Sequence, residues 1–210
     1  FFCKIFLSNS LPLTISLLLG GLVTFGPVRI KPSLAAQEPL MRVLVSESSK
    51  LRLRSDGDIP LRVKGLASSE KRVKAITLQK RSGYIYVNIR GGSPRSYRLK
   101  RNAVLSINTI DPRGMWLGKR RYSGELKVYL ENGSFQAVNH LKIERYLASV
   151  IGSEMPKTWP IAALRAQAVA ARTYALRRYQ SSGDFDIRAN KLSQVYLGIE
   201  AETPRTKLAT

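Results

Sequence analysis

Residues Ile143 to Tyr179, reading IERYLASVIGSEMPKTWPIAALRAQAVAARTYALRRY, restrict the fold more than any other stretch, because two helical periods meet there at a turn bracketed by prolines. In the first period Ile143, Tyr146, Leu147, Val150 and Ile151 recur at the spacing of one apolar helix face. Met155-Pro156 ends it, since a proline disfavours helix in the residue before it. Pro160 suits a first helical position. The run after it carries Ala162, Ala163, Ala166, Ala168, Ala170, Ala171 and Ala175, small residues with good helix propensity. Such a surface lets another backbone come close, which predicts a tightly packed interior helix.

Between the two periods lies Ser153-Glu154-Met155-Pro156. Glu154 falls in the last turn of the first helix, where the negative end of the macrodipole disfavours an ionised carboxylate. Shielding by Met155 and Trp159 would raise its pKa further by desolvation, and a carboxyl group that keeps its proton near neutral pH can serve as a general acid. The plainer alternative is a surface glutamate at a helix end.

The residue inventory removes several other chemistries. Cys3 is the one cysteine and falls in a stretch that reads as a targeting segment, so the remainder has no disulfide, thiol nucleophile or thiolate-bound zinc. His140 is the one histidine, placed where a strand pattern runs into the first helix, and it reads as structural. No metal and no cofactor is expected. The formal charge is +21, with 35 Lys and Arg against 14 Asp and Glu. It stays strongly positive without residues 1–36, which carry Lys4, Arg29 and Lys31 and no acid. A surface so basic suits polyanionic partners.

In chain order, residues 1–36 read as a signal peptide. Lys4 gives the basic start, Leu11 to Phe25 the apolar core, and Ser33-Leu34-Ala35-Ala36 a small-residue cleavage region. The alternative is an uncleaved anchor, which would be the chain's one contact with a membrane. Either way the remainder is exported to the periplasm, the cell wall or the medium.

Residues 37–120 alternate apolar with basic residues, as in Leu51-Arg52-Leu53-Arg54, Leu61-Arg62-Val63-Lys64 and Tyr84 to Arg90, broken at Asp56-Gly57, Gly65 and Gly91-Gly92. These are short strands with cations on their wet face. A sheet gripping wall polymer and a half-buried sheet whose outward residues happen to be basic both fit, and alternation alone accounts for the second. Nucleic acid is not expected: Tyr84, Tyr86 and Tyr97 interleave with Arg81, Arg90, Arg95 and Arg98, but no recognition motif surrounds them. From Tyr122 to Leu141 the pattern is a hairpin, with Leu126, Val128 and Leu130 alternating before Asn132-Gly133. After Tyr179, Ser181-Ser182-Gly183-Asp184 breaks the second helix, and one short strand is predicted around Val195. The fold class is α+β: a β-rich basic region over 37–120, and a region over 121–210 with a central helix pair packed on sheet.

Three segments together carry a family resemblance: Glu144-Arg145-Tyr146-Leu147, Val150 to Pro156, and Ala163 to Tyr174. They resemble the SpoIID/LytB family, stage II sporulation protein D and its relatives, and Ser193-Gln194-Val195-Tyr196-Leu197-Gly198 resembles the S-Q-x-Y-x-G segment that follows in that family. The resemblance implies a lytic transglycosylase that cleaves peptidoglycan glycan strands lacking stem peptides, with Glu154 as the catalytic glutamate. LytB-like relatives imply an alternative, a non-catalytic wall-binding modifier of a cell-wall amidase. A secreted basic module for other polymers is a third reading. The family also continues through an H-S-x-S-G-G-like motif with no counterpart before Thr210, so 121–210 is expected to be the N-terminal part of the family's domain.

A glycosidase of the two-carboxylate kind needs its pair about 5 to 10 Å apart. Glu144, ten residues before Glu154, lies about 15 Å away along a helix. Glu125, Glu131, Asp184 and Asp186 could come near only through tertiary folding, so a one-carboxylate mechanism is the simpler expectation. Arg165, Gln167 and Arg172 on the second helix are candidates for substrate binding, or for buried hydrogen bonds.

Overall fold

The computed structural model describes residues 37–210 apart from 82–83, 91–95, 100–102 and 132. The expected export segment, the Gly91-Gly92 break, Arg95 and Asn132 lie outside the described residues.

Alternation builds the strands. Leu51 and Leu53 are buried while Lys50, Arg52 and Arg54 are exposed, so β2 (Lys50–Arg54) puts one face in the core and one in water. β3 (Leu61–Lys64) does the same with Leu61 and Val63. The remaining strands before the helices are β1 (Leu40–Ser48), β4 (Lys71–Val73), β5 (Ala75–Arg81), β6 (Tyr84–Arg90), β7 (Ser96–Leu99), β8 (Leu105–Asn108), β9 (Met115–Leu117), β10 (Arg120–Tyr122), β11 (Glu125–Glu131) and β12 (Ser134–Lys142). A two-residue strand, β13 (Ile187–Arg188), follows the helices.

Two sheets result. One has the order β13-β1-β12-β11-β8-β3-β4 and the other β10-β9-β2-β5-β6-β7. Inward residues of both, among them Leu53, Ile76, Leu78, Val63, Ile107 and Leu126, join one apolar cluster. The stretches 37–120 and 121–210 share the first sheet, since β1 pairs with β12 and β8 with β11. The hairpin forms as its pattern predicts, closing with Glu131 opposite Ser134.

β12 runs straight into α1 (Ile143–Glu154) without a side-chain cap. Its first two amides are satisfied instead by the Pro39 carbonyl at 2.9 Å and the Glu38 carboxylate at 3.0 Å. The five residues of the apolar face are all buried, each contributing about 1.5–3 kcal/mol. Met155 then turns extended, at φ −127° and ψ 150°, as a residue before proline should.

α2 (Ile161–Arg178) departs from the expected interior helix. Only Leu164, Ala168, Ala171 and Ala175 are buried; Ala162, Ala166 and Ala170 are exposed, and Val169 is 61% exposed. The alanines supply helix propensity all round, but a single small-residue stripe makes the close approach.

The strand expected around Val195 is absent: residues 194–198 form no regular element, the Val195 N–H donates to Glu154 of α1, and the Gly198 carbonyl accepts from Ser149 of the same helix. Beyond them come a 3-10 turn (Ile199–Ala201) and α3 (Pro204–Ala209), capped by Thr203 and Thr206 with Pro204 in the first turn. Gly198 is held at φ 78°, and a Cβ there would lie 2.1 Å from the Arg121 carbonyl oxygen. Gly152 inside α1 is needed for the same reason: its Cβ would lie 2.0 Å from the Ala201 carbonyl oxygen. The 3-10 turn therefore lies against the backbone of α1, two residues before Glu154.

Candidate functional site

Glu154 closes α1, and both of its carboxyl oxygens accept hydrogen bonds from protein. The Val195 backbone N–H donates to Oε1 at 3.0 Å, and the Gln167 side-chain amide donates to Oε2 at 3.0 Å. α1, α2 and the 193–198 segment thus meet on one carboxyl group. The residue as a whole is exposed, so one flank stays open to solvent. Desolvation by the packed surroundings nevertheless outweighs the two hydrogen bonds and raises its pKa above the ordinary carboxylate range. Solvent on the open side screens part of this effect, and only the direction matters for the chemistry. Met155 packs with Ile151, Leu164, Ala168 and Ala209, whereas Trp159 stays 47% exposed.

The 193–198 segment is held from beneath. Gln194 and Tyr196 are buried, and Tyr146 donates its hydroxyl to the Gln194 side-chain oxygen at 2.9 Å while the Gln194 amide donates to the Ala171 carbonyl at 3.3 Å. Tyr196 donates to Asn139 at 2.7 Å, and its ring lies 5.3 Å from that of Tyr146 and 5.8 Å from that of Tyr122. Ser149 of α1 donates to the Gly198 carbonyl at 2.8 Å. Alternate residues are therefore pegged into the core, and the peptide between them is left to present the Val195 N–H to Glu154. Burial, and then the Glu154 carboxylate, push the Tyr146 hydroxyl well up, so it stays a donor.

The other candidates separate sharply. Gln167 touches Glu154 directly. Arg172 forms a two-pronged pair with Glu144 at 2.9 and 2.5 Å and also reaches the Thr210 carbonyl at 3.1 Å, so it ties α2 to α1 and α3. Arg165 is exposed and makes no ion pair among the described residues.

Among the described residues no other carboxyl group is hydrogen-bonded to Glu154, whose partners are Gln167 and Val195. Glu144 is taken by Arg172, Asp186 by Arg42 at 2.6 Å, and Glu125 accepts from Ser106. Among the described residues no cluster of three or more His, Cys, Asp or Glu side chains is arranged to hold a metal ion, and no helix is long and apolar enough to cross a membrane.

His140 is buried on β12, its Nε2 without a partner, and burial followed by the charge of Lys127 lowers its pKa to about 4. It is neutral at physiological pH and stands apart from Glu154, since β12 feeds the opposite end of α1.

Sequence reasoning found Glu154 and Gln167 but did not connect them, and it missed Val195. The buried alternation of Gln194, Tyr196 and Gly198 was the available signal, and it marks an extended segment without saying which donor faces a helix.

The arrangement is that of an α+β protein presenting one hydrogen-bonded glutamate at a helix end. Residues 131–210 match the family model SpoIID, described as stage II sporulation protein. An uncharacterized protein of Brachyspira hyodysenteriae is 40% identical over 90 residues, covering 41% of this chain and 24% of that protein. Stage II sporulation protein D of Bacillus subtilis is 48% identical over 42 residues, covering 20% of this chain and 12% of that one. The chain thus spans about a quarter or less of the length of the curated relatives it matches. No solved structure matches it.

Proposed function

We propose that this chain has a cell-wall role linked to sporulation and acts, outside the cytoplasm, as a lytic transglycosylase on peptidoglycan glycan strands lacking stem peptides. The match of residues 131–210 to the stage II sporulation protein family model supports the wall-related role. The observation that carries the chemistry is the Glu154 carboxyl group, gripped on both oxygens and shifted toward its protonated form, with no other carboxylate hydrogen-bonded to it among the described residues.

Protonated Glu154 gives its proton to the glycosidic oxygen of a MurNAc–GlcNAc link as the C1–O bond breaks. The carboxylate left behind takes the proton of the MurNAc 6-hydroxyl, whose oxygen bonds to C1. The product is a 1,6-anhydro sugar, no water is consumed, and Glu154 ends protonated as it began. Gln167 and Val195 are positioning residues in this scheme: their hydrogen bonds keep the carboxyl group from swinging into solvent. Arg165, free and exposed on the same helix as Gln167, is the substrate-binding candidate that remains; Arg172 is engaged.

The test is to incubate the chain with glycan strands stripped of stem peptides and to measure anhydro ends by mass spectrometry. Wild type should produce them, and Glu154→Gln should abolish them while keeping glycan binding. Wild-type release by Glu154→Gln would overturn the assignment. An effect seen only when a cell-wall amidase is added would assign the chain to the modifier class.

A further inference from the structure

The outward face of the second sheet forms a groove of about 490 Å³, lined by Arg52 and Arg54 of β2, Ala75 and Thr77 of β5, Arg90 of β6, and Gly118. Strand register puts the arginines there. Arg54 lies opposite Ala75 and Ala75 opposite Arg90, so two guanidinium-bearing positions face each other across a strand carrying a methyl group. Adjacent strands are about 4.8 Å apart, which separates those two backbones by roughly 10 Å; Arg52 and Arg54 follow each other at about 6.6 Å.

All three arginines are exposed, and none makes an ion pair among the described residues. All 14 carboxylates of the chain lie between Glu38 and Glu202, so no acid sits in residues 1–36 or in the undescribed turns except Glu131, whose side chain is not described. Five other arginines, Arg42, Arg113, Arg121, Arg145 and Arg172, each sit on a carboxylate within 3.5 Å. Uncompensated charge concentrated over small residues is a receptor for an anion.

We propose that this groove binds a linear, base-free phosphodiester polymer. A tetrahedral phosphodiester offers two free oxygens that guanidinium forks can take from both walls at once, with the Thr77 hydroxyl on the floor as a further donor. A chain of such groups spans the Arg52–Arg54 spacing, which one small anion cannot. Bases would add nothing, because among the described residues no aromatic side chain lines the groove and the neighbouring Trp116 is already covered by Arg54 at 4.4 Å and Arg121 at 5.1 Å. The site is independent of Glu154.

Binding of the chain to poly(glycerol phosphate) as a function of salt tests this. The triple variant Arg52→Gln, Arg54→Gln, Arg90→Gln should weaken binding at least tenfold and flatten the slope of log K against log salt by about 2, at roughly 0.7 per phosphate contact. A charge-matched control, Arg177→Gln, Arg178→Gln, Lys191→Gln, should bind like wild type. Circular dichroism confirms that each variant is folded, and Glu154→Gln should bind as wild type does. Equal loss in the control would reduce the effect to net charge and overturn the site. Tighter binding to single-stranded DNA or to polygalacturonate of equal charge would overturn the ligand class.

Discussion

The outward face of the second sheet and the surroundings of α1 use the same residue types to opposite ends. Around α1, arginines are staples: Arg172 on Glu144, Arg145 on Glu202 at 3.0 Å, and Arg42 on Asp186, whose side chain is fully buried. On the sheet face Arg52, Arg54 and Arg90 have no acid. An arginine's role is therefore set by the carboxylates that tertiary folding brings to it, which its own sequence position does not reveal. Arg172, picked out by motif, is engaged by Glu144 and the Thr210 carbonyl. Residues explained by simple alternation are the ones left free to meet a partner.

This contrast can be broken at several points. The largest effect should come from Gly152→Ala. Helix propensity alone favours alanine by about 1 kcal/mol. The clash with the Ala201 backbone should instead cost more than about 3 kcal/mol in a denaturant titration. Equal or higher stability would mean that the 3-10 turn is not pressed against α1.

Next comes acid sensitivity. His140 binds its proton more weakly folded, near pH 4, than unfolded, near 6.5, so the unfolded chain takes up the extra proton between those values. Stability due to neutral His140 is present above pH 6.5 and lost as pH falls toward 4, by at most about 3 kcal/mol. His140→Gln should remove that part of the slope in pH-dependent unfolding, and an unchanged slope would show that His140 titrates normally.

Arg172→Ala should cost about 1–2 kcal/mol by thermal or denaturant unfolding, since its pair with Glu144 is two-pronged but partly exposed. Removing Arg52, Arg54 and Arg90 together should change stability least, within about 0.5 kcal/mol by the same measurement. A larger loss would mean that those side chains hold the sheet together.

Local periodicity carried much of the fold. The apolar face of α1, its stop at Met155, the hairpin ending in β12 and the alternation of β2 and β3 all depend on neighbours a few residues apart, and they were legible. The capping pattern Thr203-Pro204-Arg205-Thr206 was equally local, yet α3 was not predicted from it. What could not be read depends on distant contacts: the order of strands in the two sheets, the one-sided burial of α2, and the donation from Val195 to Glu154 across 41 positions. The candidate site was legible as a residue and not as a geometry. Glu154 stood out by its place at a helix end, but its donors come from α2 and from the segment ending at Gly198, whose close approach to the Arg121 carbonyl leaves the absence of a side chain as its only local trace.

β1 has a further consequence. Met41 faces Leu141 on one side, and Val43 faces Ile187 on the other. A nascent chain leaving the ribosome therefore cannot complete this strand's neighbourhood until Ile187 has been synthesised, and the early segment waits with open edges. Closure of this strand is therefore a late event in the chain's synthesis.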